Sequence, residues 1–339
     1  MPRKRPRAAA TAKAAGLVWY PDTEPGISRR RHGRGFTYLA PDGTTIARGP
    51  ERARLEGMGV PPAYTSVWMS PRADAHLQAT GRDAAERKQY RYHPDWSSFR
   101  AARKFDRLPA FSQALPEIRR WIEETLGGAP GSHDFAIATI LRLIDRAALR
   151  VGGTDSAKDG VFGATTLRRE HAEVGRSRIE LDYVAKGGQH VHKRLSDRLL
   201  ARALHASDDL PGRRLAVWQQ GGETYGVSSD AVNARLSDIA GDGTTAKTFR
   251  TWIGTLTAFE TAEAARGDGE RPTVTAMTAA AAERLHNTPA IARAAYVHPA
   301  VIALAEDAEG LKGLSGGPRG LDGAERRLAH FLARGATAD

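Results

Sequence analysis

The dominant hydrophobic period changes near Pro94, and that change restricts the architecture. Before it, β-branched and aromatic residues come in short runs broken by Gly, Pro and Asp; after it, apolar residues recur every three or four positions over long stretches. Strands followed by helices, rather than strands alternating with them, define an α+β protein. Residues 1–16 are Ala/Arg/Pro-rich and are expected to be a disordered basic tail. Residues 17–94 are expected to form a small β-rich α+β domain, and residues 95–339 a larger, mainly helical domain with a small β-sheet. In the first domain Phe36–Ala40, the turn Pro41-Asp42-Gly43 and Thr44–Ile46 read as a β-hairpin, with a helix near Arg48–Gly57.

In the second, Ile118, Trp121, Ile122 and Leu126 predict a helix from Pro116 to Leu126. Phe135, Ile137, Ile140, Leu141, Ile144 and Ala148 predict another, capped by Ser132 or Asp134 and ending at Gly152-Gly153. Ile179–Ala185 alternates, so Ile179, Leu181 and Tyr183 share one face; Lys186–Gln189 is a turn and His190–Arg194 returns. Helices are expected at Ser196–His205, Ser229–Ile239, Ala246–Ala264 and Thr275–Leu285. Thr288-Pro289 opens a short one, by the N-cap and Pro-at-N1 pattern, and Pro299 starts another.

Charge narrows the partner. The 339 residues hold 50 Lys and Arg against 39 Asp and Glu, a net charge of +11, which favours a polyanion and points to nucleic acid. No run of about 18 apolar residues exists to cross a bilayer, and Ala8–Ala15 is too weakly apolar for a signal peptide, so a cytoplasmic protein is expected. The chain has no cysteine, which excludes disulfides, thiolate nucleophiles and Cys-bound zinc. It has no clustered carboxylates suited to divalent ions and no nucleotide-binding phosphate loop. His190 and His192 share a strand face and read as solvated histidines. Neither metal nor nucleotide cofactor is expected.

Cleaving a phosphodiester without a metal leaves the work to cations and protons. Guanidinium groups can answer the charge on the non-bridging oxygens, a lysine can protonate the leaving alkoxide, and a tyrosine hydroxyl can store the bond energy as a phosphotyrosine. Candidates are Arg150 in Leu149–Gly153, Lys186 on the hairpin turn, Arg250 in Lys247–Gly254, and Tyr296 in the segment His286–His298. Taken singly, each also has an ordinary structural reading: a cation at a helix C-terminus, a turn lysine, a surface helix charge, an amphipathic core tyrosine. Spacing alone does not establish that they converge.

Together these segments are recognisable. Gly26–Phe36 with Asp42-Gly43, Lys88–Tyr92, Leu149–Gly152, the Lys186 turn, Lys247–Trp252 and Asn287-Thr288-Pro289 followed by Tyr296 resemble, in order, the blocks of the type IB DNA topoisomerases, poxvirus-type and bacterial branch. The similarity runs from about Leu17 to the C-terminal helix. It implies the fold shared by type IB topoisomerases and tyrosine recombinases, with residues 17–94 as a DNA-binding domain and 95–339 as the catalytic domain. It further implies that Tyr296 attacks phosphorus to form a 3′-phosphotyrosyl link, that Arg150 and Arg250 hold the non-bridging oxygens, and that Lys186 protonates the leaving 5′-oxygen. The fifth position, often a histidine in the family, falls on Asn287, with His286 beside it; an amide donates a hydrogen bond but does not titrate. Thr248 stands where many bacterial relatives have Asp.

Lys88, Gln89, Tyr90 and Tyr92 would then face the major groove, and Arg29, Arg30 and Arg31 would contact phosphates. The implied partner is double-stranded DNA, bound by a monomer whose two domains close around it in the nucleoid, with no membrane and no nucleotide. Supercoils of either sign would relax by rotation about the nick. The alternatives are a tyrosine site-specific recombinase, which shares the chemistry, and a catalytically inactive DNA-binding protein.

Overall fold

The structure, a computed structural model, describes residues 4–336. The chain divides into two compact units, residues 1–104 and 105–339. The division falls beyond the expected boundary at residue 94, because the helix that begins at Pro94 belongs to the first unit.

The first unit runs α1 (Lys4–Ala14), β1 (Ile27–His32), β2 (Gly35–Leu39), α2 (Pro50–Gly57), β3 (Thr65–Met69), β4 (Leu77–Arg82), β5 (Lys88–Tyr92) and α3 (Pro94–Arg103). Its strands form one antiparallel sheet in the order β2-β1-β3-β4-β5. Ile27, Tyr38, Leu55, Val67, Met69 and Ala79 make its core. Two expectations change here. The expected tail carries helix α1, whose Ala12 is buried with Leu17 and Trp96; alanine favours helix, and one small buried face holds it down. Met1 to Arg3 of that tail lie outside the described residues. The expected hairpin partner of Phe36–Ala40 also changes. The turn at Pro41–Gly43 exists, with Ala40 N–H donating to the Thr44 carbonyl at 2.8 Å, but it is a short extension. The main partner of β2 is β1, paired from Ser28–Leu39 to His32–Gly35.

The second unit contains α4 (Leu108–Gly127), α5 (His133–Ala147), α6 (Thr154–Lys158), β6 (Ala172–Val174), β7 (Arg178–Ala185), β8 (Gln189–Ser196), α7 (Arg198–Asp208), β9 (Val217–Gln220), β10 (Glu223–Gly226), α8 (Ser229–Ala240), α9 (Ala246–Gly267), α10 (Val274–Leu285), α11 (Pro289–Tyr296), α12 (Pro299–Ala303) and α13 (Gly323–Ala336). Strands β6-β7-β8 form a small antiparallel sheet, and β9-β10 a separate hairpin. Helix α9 is central: from Phe249 to Thr255 every residue is buried, with Phe111 packed edge-on to Phe249 at 5.0 Å. Pro116 does not open α4 but lies inside it. The stripe Leu108, Phe111, Leu115, Ile118, Ile122 and Leu126 is buried along the whole helix, and that burial offsets the hydrogen bond proline cannot make. Ser132, not Asp134, caps α5.

The C-terminal helix α13 is anchored by a buried ion cluster. Arg119 of α4 donates to Asp145 at 2.9 and 3.0 Å and to Glu325 at 2.7 and 2.8 Å, and Glu325 also accepts from Trp252 of α9 at 3.3 Å.

Candidate active site

Helix α5 ends earlier than the apolar pattern predicts. Ala148 is left-handed, with φ 54°, and closes the helix, so Arg150 sits in the extended segment beyond rather than in the last turn. That segment is locked by two glycines that nearly touch. Gly152 has φ 88°, and a Cβ on Gly163 would come within 2.6 Å of the Gly152 backbone and 2.7 Å of the Arg150 carbonyl. Ala164 and Thr165 N–H groups donate to the Arg150 and Val151 carbonyls, each at 2.8 Å. The glycines after Arg150 therefore serve a backbone crossing that fixes it.

Helix α10 ends the same way. His286 is left-handed, with φ 47°, at its C-cap, and Asn287 follows. Thr288 then caps α11, accepting from Ile291 N–H at 3.3 Å, and Tyr296 closes that helix. Arg150 Nη2 donates to Asn287 Oδ1 at 2.5 Å, so the residues that follow the two helices meet. The Asn287 Nδ2 donor is buried and unpaired.

Arg250 is not a surface charge; its side chain lies in the core, only 4% exposed. Nη1 donates to the Ala148 carbonyl and Nη2 to the Leu285 carbonyl at 2.8 Å, which ties the ends of α5 and α10 to α9; its Nε is buried and unpaired. The guanidinium carbon lies 5.0 Å from the centre of the Tyr296 ring. Burial alone would raise the Tyr296 pKa, but the charge and hydrogen bonding of Arg250, with Arg150 and Lys247 behind it, bring it below the ordinary phenol value. Burial lowers the Arg250 pKa, partly offset by Tyr296.

Two residues that the sequence did not single out position the phenol. Thr255 Oγ1 donates to the Tyr296 carbonyl at 3.0 Å and accepts from His298 N–H at 3.2 Å. A Cβ on Gly254 would lie 3.0 Å from both the Cβ and the carbonyl of Tyr296, so a bare α-carbon there admits α11 against α9. Both lie in the stretch that contains Arg250, but only the packing of α11 shows their use.

Four of the five expected catalytic residues, Arg150, Arg250, Asn287 and Tyr296, thus form one cluster. The fifth, Lys186, stands exposed at the β7–β8 turn, whose Gly187 and Gly188 take φ of 84° and 71°. His190 and His192 both pair with Asp182, at 3.1 and 3.4 Å, and are solvent-facing. Among the described residues no group of three or more His, Cys, Asp or Glu side chains gathers as a metal site, and no helix is long and apolar enough to cross a membrane.

In the sheet unit, β5 is an edge strand. Tyr90 and Tyr92 are 50% and 46% exposed and stack with ring centres 6.1 Å apart. Lys88 shares their face and pairs with Asp22 at 2.5 Å. Gln89 falls on the opposite face, as strand alternation requires, and donates to Asp83 at 2.9 Å. Arg30 and Arg31 are exposed. Arg29 is a correction. Its guanidinium donates to the carbonyls of Val60, Pro61 and Tyr64 at 2.7 to 3.0 Å and covers Phe36 at 4.1 Å, so it pins the sheet to a loop instead of facing solvent.

This helical unit with a buried Arg–Tyr centre has known counterparts. Residues 93–299 match the family described as eukaryotic DNA topoisomerase I, catalytic core, and residues 35–83 match that described as bacterial DNA topoisomerase IB, N-terminal domain. The DNA topoisomerase 1B of Acanthamoeba polyphaga mimivirus is 25% identical over 233 residues, covering 67% of this chain and 69% of the viral protein. The catalytic-core match alone covers more than half of the chain. The protein belongs to the type IB DNA topoisomerases, in the branch of bacterial and viral enzymes, and has their α+β fold.

Proposed function

We propose that the protein relaxes DNA supercoils of either sign by nicking one strand through Tyr296, allowing rotation about the nick, and resealing it, with neither metal nor nucleotide. The phenol oxygen attacks phosphorus as it gives up its proton. The bond to the 5′-oxygen breaks, leaving a 3′-phosphotyrosyl link, and Lys186 delivers a proton to the departing oxygen. Arg150, Arg250 through its unpaired Nε, and Asn287 through its unpaired Nδ2 hold the non-bridging oxygens, where charge builds in the transition state. Lys186 sits at the tip of a two-glycine hairpin, from which a long side chain can reach a bound strand. Exposed Lys88, Tyr90, Tyr92, Arg30 and Arg31 supply contacts to duplex.

The observation that carries this reading is the phenol under the Arg250 guanidinium, beside buried donors left without acceptors. A buried donor without a partner is costly unless a ligand completes it. The test is covalent trapping. Wild type denatured by SDS in mid-reaction retains labelled DNA on the peptide containing Tyr296, and Tyr296→Phe retains none. Equal retention by both proteins would overturn the reading.

A further inference from the structure

A second concentration of positive charge lies beside the reaction centre. Strand β8 and the ends of α5 and α10 enclose an open cavity of about 450 Å³. Four cations line it, Arg146, Lys193, Arg194 and Arg284, with Glu283 as the single carboxylate. Two of the four are matched by acids elsewhere: Arg146 with Asp197 at 3.3 Å and Arg194 with Glu180 at 2.9 Å. The other two are not. Lys193 donates to the Arg284 carbonyl at 2.7 Å and Arg284 to the Arg146 carbonyl at 2.9 Å, and neither makes an ion pair.

We propose that this cavity binds a phosphate group other than the scissile one, held by Lys193, Arg284 and the imidazole of His286. The three side chains offer an ammonium, a guanidinium and a neutral ring donor. A tetrahedral oxyanion has enough acceptor oxygens and charge to meet all three, whereas a lone carboxylate would leave one cation unanswered. The neighbours of Lys193 on β8, His192 and Arg194, also line the cavity, but they pair across the sheet with Asp182 and Glu180, whereas Lys193 meets only a carbonyl. Burial pushes the Lys193 ammonium down to about 7, with Arg284 and Arg250 adding to the effect, the response of a cation that lacks a counter-ion. The same surroundings, burial first and then Lys193, Arg250, Arg150 and Arg284, bring His286 down to about 4, so its ring is neutral at physiological pH.

His286 supplies an independent geometric argument. Its left-handed backbone is the conformation that glycine adopts freely at a helix C-cap and that other side chains adopt under strain. A side chain kept there, facing a cavity of cations, fits a role for the ring rather than for the turn. The phosphate could belong to the DNA backbone or be a free anion, and the chemistry of the site is the same for both.

The test measures binding and no cleavage, so it is separate from the reading of Tyr296. Inorganic phosphate is titrated calorimetrically into the full chain at pH 7 and low ionic strength, and duplex affinity is measured across a salt series. Wild type, Lys193→Met and Lys193→Arg are compared, with thermal melts to confirm folding. Wild type is expected to bind phosphate, Lys193→Met to lose tenfold or more, and Lys193→Arg to retain most of the affinity. If a backbone phosphate fills the site, Lys193→Met also lowers the slope of log affinity against log salt by about 0.9. If the anion is free, the slope stays and only the calorimetric signal falls. Should Lys193→Met fail to fold, His286→Gly, which suits the backbone there, decides: weaker phosphate binding supports the site. Identical isotherms and salt slopes for wild type and a folded Lys193→Met or His286→Gly overturn it.

Discussion

The candidate sites of the two units hold their polar side chains in different ways. In the helical unit Arg250, Arg284 and Lys193 end on backbone carbonyls at the ends of α5 and α10. In the sheet unit Lys88 and Gln89 end on the carboxylates of Asp22 and Asp83. A carbonyl in a packed helix end cannot swing away, so the first group is set before any substrate arrives. A side-chain carboxylate can rotate out, so the second group must exchange partners to meet a phosphate. Arg29 supports the rule from within the sheet unit: held by three carbonyls, it belongs to the fold and not to the surface.

Lys186, held by neither device, is the hardest test of that contrast. In the proposed mechanism Lys186→Ala slows single-turnover cleavage by about 10²–10⁴, the size of a general-acid effect. A 5′-bridging thiolate, which leaves without a proton, restores most of the rate; a deficit unchanged on that substrate would assign Lys186 another role. Next comes Arg250→Ala, expected to cost about 10²–10³ in cleavage, as for a lost oxyanion donor. The same substitution moves the phenol of Tyr296 upward, because burial then acts with less opposition, and ultraviolet titration of the folded protein reads the shift. Gly254→Ala forces α11 off α9 and is expected to destabilise the protein by about 1–3 kcal/mol, measured by urea unfolding. The smallest effect concerns the exchangeable group. Asp22→Asn frees Lys88 and should tighten duplex binding modestly at low salt, whereas Lys88→Ala lowers the salt slope by about 0.9. If Asp22→Asn leaves affinity unchanged, the pair does not compete with DNA.

Much of this arrangement is legible in the sequence, and the exceptions share a cause. The Thr288-Pro289 cap, the alternation of β7 and the starts of α8 to α10 are local signals, and each appears where local chemistry puts it. The end of α5 is harder to read because Ala148 takes a conformation usually advertised by glycine, whereas α10 stops at Leu285 as its apolar pattern predicts although His286 takes the same conformation. The partner of β2, the continuation of α4 through Pro116 and the docking of α1 depend on contacts distant in sequence, which hydrophobic period cannot choose between. In the site, the residue types suggest a chemistry, but the burial of Arg250 and the crossing of Gly152 and Gly163 emerge only when α5, α9 and α10 meet.

The carbonyl anchors have an electrostatic consequence. Each peptide oxygen bears only a fraction of an electron's charge, even at the end of a helix where several peptide dipoles add. Such an anchor immobilises a guanidinium without cancelling it, whereas an aspartate in its place would do both and would repel an approaching strand. The cluster around Arg250 therefore combines fixed positions with uncancelled positive charge, which suits it to the polyanion proposed above.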